Sequence, residues 1–165
     1  MKVNGTPTRT IWLAEDGWAA EIIDQTKLPH EFVTVRLETM SDAAVAIKDM
    51  WVRGAPLIGA TAAYGVALAM HEDASDGNLK AMYDHLYATR PTAVNLRWAL
   101  DNMKTLLAPL PAVERKAAAY KRAAEICDED VEICSKIGDH GVAIIKKISE
   151  KKQGTTVNIL THCNA

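Results

Sequence analysis

Two arginines stand directly before segments that we predict to begin helices. Arg53 opens the stretch 53–56, Arg-Gly-Ala-Pro, and Arg90 opens the stretch 90–95, Arg-Pro-Thr-Ala-Val-Asn. Each guanidinium is therefore expected beside a helix N-terminus, where free N–H groups and the helix dipole favour an anion. Gly54 has no side chain to keep a ligand away from the backbone. Because arginine can hold phosphate oxygens through two parallel hydrogen bonds, the two stretches predict a site for a phosphorylated small molecule.

An ordinary structural role is the alternative for each arginine. Arg53 and Arg90 can each form an ion pair or cap a neighbouring carbonyl, and an exposed ion pair contributes little. Arg97 is a further candidate, but it falls inside a predicted helix beside Trp98, where its stem is expected to pack on the surface. The sequence leaves both interpretations of the first two arginines open.

The thiol of Cys163 is the second chemical candidate. Cys163 lies just beyond a predicted strand over 155–160, and open α/β sheets hold ligands at the carboxyl ends of their strands. Beside His162 and loop amides, its thiolate can exchange protons near neutral pH, whereas a buried, inert thiol is the alternative. His162 is expected to point into packing, because adjacent residues on an extended segment face opposite ways. We find no metal-ligand spacing, Walker-type loop or GxGxxG motif, so we expect neither a metal nor a cofactor.

The elements that position these residues begin with a small antiparallel sheet. Strands are predicted over 10–13, 18–24 and 32–37, with the turn signal Asp16-Gly17 between the first two. Helices follow over 42–51, with Ser41 as N-cap, and over 56–71. A break at 76–78 precedes a short helix to Leu86, and a further helix runs from about 90–92 to Leu107. A long helix covers 112–137, and Gly138 and Gly141 separate it from an amphipathic stretch that ends near Lys152.

The uncharged run 54–70 is too short, and too interrupted by glycine and proline, for a membrane span. Its many small residues predict a buried helix at the centre of a bundle. After the turn at Gln153-Gly154, the apolar segment 155–160 predicts a strand of a parallel sheet, which cannot exist without neighbouring strands. We therefore predict an α+β fold: a sheet and helical domain over 1–152, with a Rossmann-like α/β domain, truncated in this chain, beginning at 153–165.

Composition excludes several classes of protein. The chain has 165 residues, 19 Lys+Arg against 21 Asp+Glu, a net charge of -2 and 48% apolar residues, as in ordinary globular proteins. The interleaved charges argue against nucleic-acid binding, and the lysines near 146–152 are expected to be a solvated helix face. The N-terminus lacks the apolar core of a secretory signal. Three cysteines suit a reducing compartment such as the cytoplasm, with Cys127 and Cys134 predicted to be buried or half-buried.

Three motifs together resemble a known enzyme family. The stretches 53–59, 90–96 and 161–165 are closely similar to those of the methylthioribose-1-phosphate isomerases of methionine salvage, and the resemblance covers the whole chain in order. It implies conversion of an aldose phosphate to a ketose phosphate without metal or nucleotide. It further implies that Arg53 and Arg90 contact the phosphate, together with backbone from Gly54 and Ala55. Cys163 would handle the proton or assist hydride movement between the first two sugar carbons.

The same resemblance implies that part of the site lies elsewhere. The family pairs its cysteine with an aspartate and uses an Asn-Lys pair, both in a C-terminal half that this chain does not contain. The expected partners are therefore the sugar phosphate, that missing half in the same or a separate chain, and a second copy in a homodimer of the complete protein. Two related activities remain as alternatives: a regulatory subunit of a translation-initiation guanine-nucleotide exchange factor, and a ribose-1,5-bisphosphate isomerase.

Overall fold

The computed structural model describes residues 2–3 and 5–161. The chain forms two compact units, one over Met1–Cys127 and the other over Asp128–Ala165. The first unit contains both sheets and most of the helices, and the second contains the remainder of the last helix and the segment after it. Both candidate arginines belong to the first unit.

Two antiparallel sheets come first along the chain. Strands β1 (Lys2–Val3) and β2 (Thr6–Pro7) form a hairpin that the sequence analysis did not predict. Strands β3 (Ile11–Leu13), β4 (Ala20–Ile23) and β5 (Thr34–Leu37) form the predicted three-stranded sheet, in the order β3-β4-β5. Cross-strand partners such as Ile11 and Ile22 bring apolar side chains together, and Ile22 is fully buried. The α+β fold class is confirmed.

Besides the first part of the last helix, the first unit contains four helices: α1 (Met40–Lys48), α2 (Ala55–Glu72), α3 (Asp76–Tyr87) and α4 (Val94–Leu107). The prediction of Ser41 as N-cap of α1 is wrong, because Thr39 forms a capping box with Asp42 and the helix begins at Met40. The predicted break at 76–78 is the first turn of α3. Ser75 caps this turn by accepting a hydrogen bond from the Asn78 N–H at 3.2 Å.

Helix α2 lies at the centre of the core, as predicted from its small residues. Its residues from Ile58 to Met70 are all buried, and it packs against α1, α3 and α4. A β-carbon built at Gly65 lies only 3.0 Å from the Ala43 Cβ, which shows how closely α1 approaches. In the part of the chain that the structure describes, none of the helices combines the length and the apolarity needed to cross a bilayer.

Helix α5 runs without interruption from Ala112 to Lys151. The predicted separation at Gly138 and Gly141 is wrong, because two glycines cost only about 1 kcal/mol each in a helix whose other residues favour helix formation. Cys127 is buried, as expected, but Cys134 is exposed, since it lies beyond the residues of α5 that the core covers.

The predicted strand over 155–160 is absent, and the described residues of this segment form irregular chain. A strand requires backbone hydrogen bonds to a neighbour, and no strand in the described ranges pairs with it. Its apolar side chains are correspondingly open to solvent, with Ile159 70% and Leu160 98% exposed. The predicted start of an α/β domain at 153 therefore stays a proposal.

Tyr120 of α5 holds the loop between β3 and β4. Its hydroxyl donates a 2.6 Å hydrogen bond to the Trp18 carbonyl. Partial burial, with the carboxylates of Asp16 and Glu72 nearby, raises the pKa of Tyr120 to about 12. The phenol therefore keeps its proton, and the hydrogen bond, throughout the neutral range.

Arg115 is the one arginine of the described residues that the core buries, at 4% exposure. Its guanidinium satisfies the carbonyls at the C-terminal end of α4 and ties them to the start of α3. It donates to the carbonyls of Leu107, Ala108, Leu110 and Ala74 and to the carboxylate of Asp76. This single side chain therefore links the residues at the end of α4 to those at the start of α3.

Replacing this guanidinium should be costly. Arg115→Leu removes the side-chain donor from the partly buried carbonyls of Ala74, Ala108 and Leu110, so we expect the free energy of unfolding to fall by about 2–4 kcal/mol. Urea denaturation followed by circular dichroism measures the change. The neighbouring exposed residue supplies the control, Lys116→Leu, which should change stability by less than about 0.5 kcal/mol. Equal stability of the two variants would contradict the role given to Arg115.

Candidate anion-binding site

The loop that carries Arg53 joins α1 to α2 and is held against the residues that follow β4. The Gln25 N–H donates to the Trp51 carbonyl at 2.8 Å, and the Gln25 side-chain amide reaches the Arg53 carbonyl at 3.4 Å. Gln25 escaped the sequence analysis, because only the folded chain brings it next to this loop. The exposed Arg53 side chain thus extends from a loop whose backbone is held by hydrogen bonds from Gln25, shortly after β4.

Gly54 allows the chain to turn into α2. Its φ of +98° lies in a region that L-residues with side chains seldom adopt. Gly54 is also the N-cap of α2, and it has no side-chain oxygen with which to cap the helix. A β-carbon at this position meets nothing within 4 Å, so the space in front of the helix is open.

The loop that carries Arg90 joins α3 to α4 and forms compact turns. The Thr89 hydroxyl donates to the Leu86 carbonyl at 2.6 Å, and the Ala93 N–H donates to the Arg90 carbonyl at 2.9 Å. Ala93 is the N-cap of α4, and a methyl group cannot accept a hydrogen bond. Helix α4 therefore begins three residues later than the predicted start at Pro91, because these turns intervene.

The helices fall into two kinds at their N-termini. Helices α1 and α3 are capped by Thr39 and Ser75, whereas α2 and α4 begin at residues that cannot cap. Within residues 2–3 and 5–161, four amides in the first turns of α2 and α4 have no hydrogen-bond acceptor: Ala55, Leu57, Val94 and Asn95. These N–H groups are suited to the oxygens of an anion.

The two guanidiniums are available as well. Among the described residues, neither the Arg53 nor the Arg90 side chain forms an ion pair or a hydrogen bond. The alternative role, in which each arginine forms an ion pair or caps a neighbouring carbonyl, therefore has no support among the described residues. Arg97, by contrast, pairs with Asp101 at 3.6 Å, one turn further along α4.

Helix α2 contacts α4 near the N-termini of both helices. A β-carbon built at Gly59, in the second turn of α2, lies 3.0 Å from the Asn95 carbonyl oxygen in the first turn of α4. Each helix is preceded by one of the two arginine loops and begins with free amides. The positive ends of the two helix dipoles and the unpaired guanidiniums favour negative charge near these N-termini.

Other parts of the predicted site lie outside the described residues. Cys163 and His162 belong to the final residues, about which the structure gives no description, so their predicted places stay predictions. Residues 2–3 and 5–161 contain no group of three or more His, Cys, Asp or Glu side chains arranged to hold a metal ion.

Two of the open cavities in the described part of the first unit have walls that do not include Arg53 or Arg90. One of about 720 Å³ lies between α4 and α5, where Trp98, Leu106 and Arg122 form part of its wall. The other, of about 400 Å³, lies between α1 and α3 beside Lys48 and His85. These two cavities are therefore separate from the candidate anion site.

The fold defines the class, an α+β protein, and its candidate anion site lies at the uncapped N-termini of two helices. A family described as the Initiation factor 2 subunit family matches residues 51–165. The chain belongs to this family, and the resemblance found in its sequence motifs is confirmed.

Named relatives agree with this assignment. The chain is 66% identical over its whole length to the methylthioribose-1-phosphate isomerase of Paramagnetospirillum magneticum and 61% identical to that of Cereibacter sphaeroides. It covers 45% and 44% of these two proteins, so it spans about half the length of the curated relatives it matches.

Two solved structures share the fold. The crystal structure of 5-methylthioribose 1-phosphate isomerase from Pyrococcus horikoshii matches with a TM-score of 0.69 at 39% identity, over 75% of this chain and 37% of that one. The translation initiation factor eIF-2B, subunit delta, from A. fulgidus matches with a TM-score of 0.69 at 35% identity, over 76% of this chain and 38% of that one.

A substitution tests the backbone geometry of the Arg53 loop. Gly54→Ala forces a β-carbon into a positive-φ conformation, and we expect it to lower the free energy of unfolding by about 1–2 kcal/mol. The matched control is Gly138→Ala, where φ is not positive and a β-carbon meets nothing within 4 Å. The control should leave stability unchanged or raise it by up to about 1 kcal/mol. Urea denaturation compares the two, and an unchanged Gly54→Ala variant would show that the loop is not constrained.

Proposed function

We propose that this chain supplies the phosphate-binding part of a sugar phosphate isomerase that converts 5-methylthioribose 1-phosphate to 5-methylthioribulose 1-phosphate. The observation that carries the proposal is that α2 and α4, which approach each other at Gly59 and Asn95, begin with four unpaired amides and each follow an unpaired arginine. The names of the relatives that match the whole chain support the choice of substrate.

Binding is the task of the residues at the helix N-termini. The guanidiniums of Arg53 and Arg90 hold phosphate oxygens, and the backbone at Gly54 and Ala55 approaches them closely because no side chain intervenes at Gly54. Fixing the phosphate orients the sugar carbons beside it. Orientation of this kind can lower a reaction barrier by several kcal/mol.

The chemistry is assigned to Cys163. The isomerisation breaks the bond between C1 and the ring oxygen, moves the C2 hydrogen to C1 and passes the proton of the C2 hydroxyl to the freed ring oxygen. C2 becomes a carbonyl, and no external oxidant or reductant is consumed. Cys163 either carries the proton between C2 and C1 or assists the transfer of a hydride. Because the thiolate is the basic form of cysteine, a thiol suits the first route. Water exclusion around the sugar protects the intermediate from side reactions.

The part equivalent to the rest of the relatives, in the same or a separate chain, completes the site and contributes the acid/base partner of Cys163. The second unit offers a surface for it. Four exposed side chains of α5, spaced to lie within an arc of about 60° at 3.6 residues per turn, form an isoleucine stripe: Ile133, Ile137, Ile144 and Ile148. The exposed Ile159 and Leu160 follow the helix, and a sheet in the same polypeptide would give their segment its missing hydrogen-bond partners.

The complete enzyme is expected to act as a homodimer in the cytoplasm, where the three cysteines of this chain stay reduced. The second candidate function is a non-catalytic regulatory subunit, favoured by the structural match to the A. fulgidus initiation factor. Such a subunit retains the fold and an anion site but needs no reactive thiol. Assays of the complete protein with methylthioribose 1-phosphate and with ribose 1,5-bisphosphate separate these activities.

Phosphate binding is tested in the 165-residue chain itself. We expect Arg53→Ala and Arg90→Ala each to weaken binding of methylthioribose 1-phosphate at least 10-fold, because a hydrogen bond to a charged group contributes about 1.5–3 kcal/mol. Titration followed by amide chemical shifts in NMR measures the affinity. Arg97→Ala is the control, since Arg97 already pairs with Asp101. Equal losses in all three variants would indicate a diffuse charge effect and refute the site.

Turnover is tested by reconstitution. The chain alone should show no isomerisation, and addition of the part of the Paramagnetospirillum magneticum isomerase beyond its matched N-terminal 45% should restore it. In the mixture, Cys163→Ser should lower kcat at least 100-fold with little change in KM, while Cys134→Ser, at an exposed position, should not. Robust turnover by the isolated chain, or normal kcat in the Cys163→Ser variant, would contradict these roles.

Assembly of the two polypeptides is tested by substitutions in the isoleucine stripe. Ile137→Asp together with Ile144→Asp should abolish co-elution of the two polypeptides in size-exclusion chromatography, because a carboxylate is costly to bury. Val113→Asp alters the same helix at a residue that is 87% exposed and should leave co-elution intact. If the double variant assembles normally, the stripe is not the docking surface.

A further inference from the structure

Helix α2 contains two glycines at which another element approaches closely. A β-carbon built at Gly59 lies 3.0 Å from the Asn95 carbonyl oxygen, and one built at Gly65 lies 3.0 Å from the Ala43 Cβ. Both distances are shorter than ordinary contacts of a β-carbon, so each glycine lets a neighbour sit where a larger residue would not. The two positions differ in what that neighbour is.

The neighbour of Gly59 is backbone. The Asn95 carbonyl oxygen, its carbon at 3.5 Å and the Asn95 Cβ at 3.5 Å belong to the first turn of α4 and cannot rotate away. Gly65 instead faces the Cβ of Ala43, which is fixed to the backbone of α1, and the two terminal methyl groups of Leu86 at 3.3 Å. A methyl group added at Gly59 therefore displaces the start of α4, whereas one added at Gly65 displaces α1 and the Leu86 side chain.

The start of α4 is also where the free donors lie. The N–H of Asn95 is one of the unpaired amides, and Arg90 precedes it in the loop that enters the helix. On α2, Gly59 follows the N-cap Gly54 by five residues, or about 7.5 Å along the helix axis. The close contact at Gly59 thus sets how near the donors of α4 come to those of α2.

We propose that Gly59 is a positioning residue that sets how closely the first turn of α4 approaches α2, so that one phosphate group can engage donors from both helices. It acts by admitting the Asn95 carbonyl and does not itself contact the ligand. A larger residue moves the donors of α4 away from those of α2 and weakens binding of the phosphate. This inference rests on the proposed phosphate site, and it names a residue that positions the donors of that site.

The test compares Gly59→Ala with Gly65→Ala, two identical changes on one helix with equally close contacts. We expect both to lower the thermal midpoint by a similar amount, because each overpacks the core. Gly59→Ala should also weaken the binding of inorganic phosphate and of methylthioribose 1-phosphate about 10-fold, since small displacements of binding groups are costly. Gly65→Ala should change both affinities less than 2-fold. Binding is measured well below each variant's midpoint.

The outcomes separate the inference from the proposed function. If the wild-type chain binds neither probe, the phosphate site and the inference both fail. If the wild type binds and Gly59→Ala binds equally well, or if Gly65→Ala loses as much affinity, only the positioning role is overturned. If a variant does not fold, the role is tested in the wild-type chain instead. There, the amide resonance of Asn95 should shift on addition of inorganic phosphate. An unmoved Asn95 resonance in a chain that binds phosphate would also overturn the role.

Discussion

The close packing of α2 is the constraint on which the rest of the structure depends. A helix buried over its whole middle must present small residues to its neighbours, because those neighbours approach it from several sides. This packing brings α1 and α3 against Gly65 and the first turn of α4 against Gly59. The same packing determines where the arginine loops lie, because one loop leads into α2 and the other leads into α4, which packs against α2.

The sequence predicted the features that depend on local chemistry. The Asp16-Gly17 turn between the first two predicted strands indicated the antiparallel sheet, and the small residues of 54–70 indicated a central helix. The positions of Arg53 and Arg90 before helices followed from Pro56 and Pro91, which favour the first turns of helices. In the structure, however, α4 begins only at Val94, because hydrogen-bonded turns occupy the intervening residues.

The sequence could not predict what depends on tertiary contacts. Gln25 is distant from Arg53 in the chain, and nothing local indicates that it holds that loop. The burial of Arg115 is equally non-local, because its acceptors come from α4 and from the residues before α3. Gly138 appeared to end a helix, yet the helix-forming residues around it outweigh its cost. Segment 155–160 has the composition of a strand, but composition cannot supply the partner that a strand requires.

The absence of a capping side chain at Ala93 places ligand binding in competition with stability. A serine, aspartate or asparagine at position 93 could turn an oxygen onto the free amides of α4, and such caps typically add about 1 kcal/mol. That oxygen would occupy the donors that a bound anion needs. At Gly54 the positive φ disfavours every side chain, so the backbone turn and the uncapped N-terminus of α2 require the same residue. Selection for thermal stability alone would favour a cap at position 93, and such a cap would close the N-terminus of α4 to a ligand.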